Sequence, residues 1–390
     1  MYKHDIKDLI ITGARRSGKS VFLSQIINNF FKKYYYVNFE DERLASFDLK
    51  DFNGLYEVCI ELFGKTETFF LDEVQNVDGW ERWVRRMYDN DFKFFITGSN
   101  ARLLSKELAT LLTGRHIQFT IFPFSFREYL CFHNVNFEKQ DLYLTEKRAI
   151  IRKHFSNYLR EGGFPEYVKY KKIEILQEYF NDIIQKDIVE RYKIKNIKQI
   201  KELARFLITN TGNLTSYNQL KKLVEIKSVN TVINYFEYLE NGYLLFKIPY
   251  FSYSLKKQIV NPFKTYAIDV GLRNSIGFKF SKDFGRIYET VVAVELKRKN
   301  KKIYYWKNRQ QEEVDFVLKK GNRIEQLIQV CYNIEDINVK KRKIRALTKA
   351  GEELRCKNLL VITEDYEATE KLKGNKIKYI PLWKWLLESA

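Results

Sequence analysis

Residues 13–20 read Gly-Ala-Arg-Arg-Ser-Gly-Lys-Ser, and no other stretch constrains the folding of this chain as tightly. Glycine at the first and sixth positions lets the backbone curl until its N–H groups face inward. Asp8-Leu9-Ile10-Ile11-Thr12 before it reads as a short buried strand, and Val21 to Ile27 after it as the start of a helix. A strand, a glycine turn and a helix N-terminus together form an anion cradle, because the helix end adds partial positive charge. A phosphate chain fits that cradle, with Gly13, Arg15, Arg16, Ser17, Gly18, Lys19, Ser20 and Val21 as the expected contacts. Lys19 is expected to reach the β- and γ-phosphates and the Ser20 hydroxyl to ligate Mg2+, which makes ATP with Mg2+ the expected ligand pair.

A second pattern supports this reading. Thr68-Phe69-Phe70-Leu71-Asp72-Glu73 is an apolar run ending in two acids, as in a buried parallel strand that delivers carboxylates to the edge where ligands bind. Asp72 is expected to hold Mg2+ through a water and Glu73 to polarise an attacking water. Phe92 to Ile96 reads as a third strand, closing in Thr97-Gly98-Ser99-Asn100. Asn100, then Ser99, are candidates to sense the γ-phosphate; the same residues also fit a purely structural turn. Arg115, after Gly114 and before the strand at Ile117–Ile121, is a candidate arginine finger or the partner of a carboxylate.

Composition narrows the class. At 390 residues the chain is too long for one core, and 45% hydrophobic with 16% aromatic residues describes a packed globular protein. No apolar run approaches the ~18–20 residues that cross a bilayer, so no membrane partner is expected. Cys59, Cys131, Cys331 and Cys356 lack metal-ligand spacing, and a cytoplasmic location is expected. A formal net charge of +19 favours a polyanionic partner, double-stranded DNA in the simplest case, and equally fits a lysine-rich surface.

The expected fold is α/β in four parts. Residues 1–130 form a parallel-sheet P-loop ATPase domain, with Tyr34–Phe39 a further strand and Trp80–Tyr88 an amphipathic helix. Residues 131–197 form a helical lid or linker, broken by Gly162-Gly163-Phe164-Pro165 and resumed as a helix from Glu174 to Tyr192. Residues 198–277 read as a winged helix-turn-helix. Its helices are Ile200–Leu207, Tyr217–Val224 and one capped by Ser228, with Asn230, Thr231 and Asn234 on an exposed face suited to base edges. Strands at 243–248 and 264–268 follow as a hairpin with a basic tip at Lys256-Lys257. Residues 278–390 follow the order helix, three strands, helix, strand of a restriction-endonuclease-like core. Asp315 and Glu289 stand where that core holds metal ligands, but the third strand reads Gln329-Val330-Cys331 in place of Glu-x-Lys. Glu325 shares a face with Gln329 by alternation and is the only replacement acid there. A degenerate, non-catalytic core is the favoured reading.

The ordered set of Gly13–Ser20, Leu71–Val77, Thr97–Asn100, Leu112–Arg115, Pro123–Tyr129, Gly162–Glu166 and Glu313–Phe316 resembles the predicted AAA-superfamily P-loop ATPases of archaea and bacteria that carry a nuclease-like C-terminal domain of unknown function. The resemblance implies ATP binding and hydrolysis at Lys19, Ser20, Asp72 and Glu73, with Arg115 as a finger. It leaves three functions to separate: a DNA-coupled ATPase, a nucleotide switch that docks protein partners, and an ATP-gated nuclease. Assembly into a homo-oligomer is compatible with each.

Overall fold

The computed structural model describes residues 8–100, 116–277, 284–372 and 374–388. The chain folds as two compact units. The first comprises Met1–Phe122 with Asp182–Lys193 and Glu240–Tyr243, and the second holds the remainder.

The first unit is built on five parallel strands: β1 (Asp8–Gly13), β2 (Tyr35–Asn38), β3 (Thr68–Asp72), β4 (Lys93–Gly98) and β5 (His116–Ile121), in the order β2-β3-β4-β1-β5. The central strands β1, β3 and β4 read as apolar runs because both faces of the sheet are covered there, whereas the edge strand β5 exposes Ile117 and Phe119. On one face Leu9, Ile11, Phe70 and Phe95 pack against Leu23, Ile26 and Ile27 of helix α1 (Lys19–Phe30). On the other, Ile10, Phe69, Leu71, Phe94 and Ile96 pack against α2 (Phe52–Phe63) and α3 (Trp80–Tyr88), with Phe52 stacked on Trp83 at 4.7 Å. Thr12 lies beside Gly98, and Asn38 beside Asp72. The carboxyl ends of β1, β2, β3 and β4 therefore reach one edge together, where open parallel sheets bind ligands.

The second unit begins with helices Phe126–Phe132, Thr145–Glu161, Pro165–Tyr170 and Ile173–Asp182. Three further helices, Ile197–Thr209, Tyr217–Leu223 and Val229–Asn241, accompany a small antiparallel sheet of β6 (Leu214–Thr215, between the first two helices), β7 (Leu245–Ile248) and β8 (Phe263–Ala267), ordered β6-β8-β7. A mixed six-stranded sheet closes the chain: β9 (Lys302–Lys307), β10 (Glu313–Lys320), β11 (Arg323–Cys331), β12 (Leu359–Thr363), β13 (Ala368–Leu372) and β14 (Asn375–Pro381), ordered β13-β14-β12-β11-β10-β9. Ile344, Leu347 and Ala350 of helix Ile337–Glu353 cover its core with Val314, Val317, Leu327 and Val361. Among the described residues no helix is long and apolar enough to cross a membrane.

Three expectations change. The helix expected from Glu174 to Tyr192 ends as an α-helix at Asp182 and continues as a π-helix, Ile183–Glu190. Lys256-Lys257 is not a hairpin tip; both lysines lie on a short helix, Leu255–Val260, within a long connection from β7 to β8. That connection is held by backbone bonds from Tyr305 N to Pro249 O and from Phe251 N to Tyr305 O, which a tight hairpin would not make. Thr231 is half-buried, while Asn230 and Asn234 are exposed as expected.

Gly162 and Gly163 do more than stop a helix. Gly162 has φ +73°, and a Cβ on it would stand 2.2 Å from the Asp269 carboxylate. Asp269 caps helix Val270–Ile276 by accepting from Leu272 N at 2.9 Å and also accepts from Gly163 N at 2.7 Å. Burial raises its carboxyl pKa to about 6, against the pull of those backbone N–H donors. The folded state therefore prefers the protonated acid. The stability this provides is complete below pH 3.8 and is lost as the pH rises through about 6. Relative to Asp269→Asn, the unaltered chain should lose on the order of 3 kcal/mol across that interval in urea melts.

Candidate functional site

The glycine loop folds as its spacing requires. Gly13 has φ +148° and Gly18 φ +103°, and a Cβ on Gly13 would lie 2.2 Å from the Ile121 carbonyl oxygen. Between them Arg16 also takes positive φ, 63°. The turn delivers Lys19 into the interior, where only 4% of the residue is exposed. Ser20 and Val21 face outward on the first turn of α1, and Val21 is 63% exposed.

The acid strand meets the loop at the same sheet edge. Lys19 Nζ lies 3.1 Å from Glu73 Oε1 and donates to the Ala14 carbonyl at 3.2 Å. Glu73 sits just past β3 with φ 50°, its backbone N–H donating to Thr97 Oγ1 at 2.9 Å. Gln75 Nε2 donates to its second carboxylate oxygen at 2.6 Å. Burial pushes the Glu73 pKa up, but Lys19, Gln75 and Arg15 outweigh it and hold the carboxyl below its ordinary value. Asp72 accepts from the Tyr36 hydroxyl at 3.0 Å and from Thr97 Oγ1. Burial and then the Asp72 charge raise the Tyr36 pKa, so the phenol stays a donor.

Ser99 and Asn100 are buried at the end of β4. Ser99 Oγ donates to Asp187 Oδ1 at 3.0 Å, and Asn100 Nδ2 to the Tyr192 hydroxyl at 3.2 Å. Both partners come from the 182–193 segment of this unit. Asp187 is 2% exposed and also accepts from Arg15 Nε at 3.2 Å, so one carboxylate ties the phosphate loop to the end of β4. Burial opposes the Arg15 charge, yet Asp187 and Glu40 hold its pKa above the usual value. Sequence reasoning missed Asp187. Its signal was an acid within the apolar stripe Ile183, Ile184, Ile188, where helical spacing calls for a hydrophobe. Arg115 lies outside the described residues.

The residues present fit a nucleotide and its metal. The Ser17 hydroxyl is buried with no hydrogen-bond partner, a deficit that a phosphate oxygen in the loop would satisfy. The Ser20 hydroxyl and the Asp72 carboxylate are oxygen donors of the kind Mg2+ takes.

In the second unit the densest basic runs, residues 297–302 and 340–343, spend several of their charges on internal pairs. Arg298 and Lys299 pair with Glu295, Lys301 with Glu325, Lys340 with Glu370 and Lys343 with Asp315. Gln329 Nε2 donates to Asp315 Oδ2 at 2.6 Å, whereas Glu325 is held by Lys301.

The loop geometry sets a direct test. Gly13→Ala introduces a Cβ where β5 leaves no room and forces a residue with a side chain to φ +148°. It should cost ~1–3 kcal/mol of stability in a denaturant melt and weaken ATP binding in a titration of the same sample.

Comparison with known proteins agrees with this architecture. A family model described as an AAA domain matches residues 6–130, and two models described as domains of unknown function match residues 152–282 and 284–385. An uncharacterized protein of Methanocaldococcus jannaschii is 41% identical over 97% of this chain and 88% of its own length. One of Haemophilus influenzae is 29% identical over 96% of this chain and 93% of its own length. Among solved structures, the replication initiator DnaA bound to AMPPCP and single-stranded DNA covers 60% of this chain and 83% of its own at 16% identity. Its TM-score of 0.26 is too low to carry anything over. With such identity to the archaeal relative across nearly its whole length, the chain belongs to a family of archaeal and bacterial proteins that join an N-terminal AAA domain to C-terminal domains of unknown function.

Proposed function

We propose that the chain binds and hydrolyses ATP at the edge of the parallel sheet and couples turnover to double-stranded DNA. One observation carries the hydrolytic part: the buried ammonium of Lys19 is paired with the Glu73 carboxylate beneath a glycine loop. A γ-phosphate in that loop competes for Lys19 and releases Glu73. Still buried but without its cation, Glu73 then rises in pKa toward the range in which a carboxylate takes a proton from water. Tyr36 and Thr97 keep Asp72 oriented, and Ser20 completes an oxygen donor set. Mg2+, when bound, neutralises charge on the phosphates. Arg115 keeps its proposed role as a finger, within the chain or from a neighbouring copy.

Asp187 supports coupling. It contacts Arg15 in the loop and Ser99 at the end of β4, and its π-helix continues without a break from helix Ile173–Asp182. π-Helical turns recur at functional sites. We assign residues 131–197 as the lid, 198–277 as the winged helix and 278–390 as a degenerate nuclease-like core. The DNA reading rests on the three helices 197–209, 217–223 and 229–241, on the exposure of Asn230, Asn234, Lys222 and Lys227, and on the net charge of +19. A second reading, a nucleotide switch that docks protein partners, is supported by Tyr253, Leu255, Ile259 and Val260, each at least 68% exposed.

Steady-state ATP hydrolysis with and without duplex DNA, at two salt concentrations, separates the two. DNA should raise turnover, the effect should fade with salt, and Lys19→Ala should lower the rate ~100-fold or more under every condition. Turnover that is lost in Lys19→Ala but indifferent to DNA would select the protein-docking switch.

A further inference from the structure

The larger unit buries a second lysine, and its surroundings differ in kind from those of Lys19. Lys264 enters from β8 with its side chain 2% exposed. Its ammonium lies 2.6 Å from Glu313 Oε1, 2.8 Å from Glu289 Oε1 and 3.3 Å from Asp315 Oδ1. Glu313 and Asp315 are two residues apart on β10 and so share a face; Glu289 comes from helix Phe284–Arg298. Three carboxylates thus converge on one nitrogen.

The carboxylates are held in place by their neighbours. The Tyr266 hydroxyl donates to Glu289 Oε1 at 2.6 Å. Asp315 Oδ2 accepts from Gln329 Nε2 at 2.6 Å, Val330 N at 2.9 Å and Lys343 Nζ at 3.0 Å. Gln329 is fully buried, and its Oε1 has no hydrogen-bond partner, which leaves a carbonyl-type oxygen unused at the cluster. Three carboxylates, two of them fixed by a second layer of donors, and a spare amide oxygen form a ligand set for a hard divalent cation. Among the described residues no three His, Cys, Asp or Glu side chains stand close enough to hold a metal ion, and here the ammonium takes the place between the carboxylates.

We propose that this cluster is a divalent-cation site whose cation the chain supplies itself, as the Lys264 ammonium. The tethered charge offsets the buried carboxylates of Glu289 and Asp315 and the half-buried one of Glu313, and it occupies the position a metal needs. It also joins β8 to β10 and to helix Phe284–Arg298. The unaltered chain therefore has no vacancy at Asp315 for metal-assisted hydrolysis, and replacing Lys264 creates one.

The test is Mn2+ titration of the full chain, without nucleotide, by calorimetry. Unaltered protein and Asp315→Asn should take up Mn2+ alike. Lys264→Met should gain one additional Mn2+ at an affinity at least ~tenfold above any uptake by the unaltered chain, with a melting temperature that rises with metal. The double variant Lys264→Met/Asp315→Asn should lose that gain. If Lys264→Met fails to fold alone, refolding it with Mn2+ present decides: recovery of the native circular dichroism and melt supports the proposal, and no recovery overturns it. A folded Lys264→Met with no added site, or unaltered protein with a Mn2+ site that Asp315→Asn abolishes, also overturns it.

Discussion

A buried ammonium facing a buried carboxylate is the interaction on which the nucleotide site depends. Lys19 and Glu73 are each at most 9% exposed, so neither can stay charged there without a partner. The left-handed glycines of the loop turn the chain sharply enough to place Lys19 inside, and the parallel register brings Glu73 to meet it. The pair holds the loop shut on itself and is exchangeable in principle, because a phosphate offers Lys19 the same negative charge. Unpaired, Glu73 then becomes the stronger base. In the proposed hydrolysis, ATP binding and activation of Glu73 as the base are one event.

The two buried lysines show what decides between a switch and a lock. Lys19 has one carboxylate and one carbonyl, beside a loop whose Arg16 and Ser20 face outward. Lys264 has three carboxylates, which take all three of its donor positions, and Tyr266 and Lys343 pin those of Glu289 and Asp315 in turn. Burial works against the Lys264 charge, but Glu289 and the other anionic groups raise its pKa well above the ordinary lysine value, so it stays cationic. One ammonium awaits an anion; the other has already replaced a cation.

What the sequence made legible follows from how local each signal is. The loop, the strand ending in Asp72-Glu73 and helix Trp80–Tyr88 are each specified within a dozen residues by glycine placement or apolar periodicity. Asp187 was harder to find, because its partners Arg15 and Ser99 lie far away in the chain and its one local signal is a single acid in an apolar helical stripe. Lys264 opens the strand expected at 264–268, and only the fold brings Glu289, Glu313 and Asp315 to it. β14 alternates over its first half, with exposed Lys376 and Lys378 against buried Ile377 and Tyr379, whereas the edge strand β13 is largely exposed. The expected hairpin tip at Lys256-Lys257 failed because residues 249–262 contain no glycine to make a tight turn.

The most direct test of the central claim is equilibrium binding of ATP with Mg2+ to Glu73→Gln, compared with the unaltered chain, alongside turnover. Removing the carboxylate frees Lys19 for phosphate and removes the base. The account predicts tighter ATP binding together with loss of hydrolysis. Weaker binding, or undiminished hydrolysis, would contradict it.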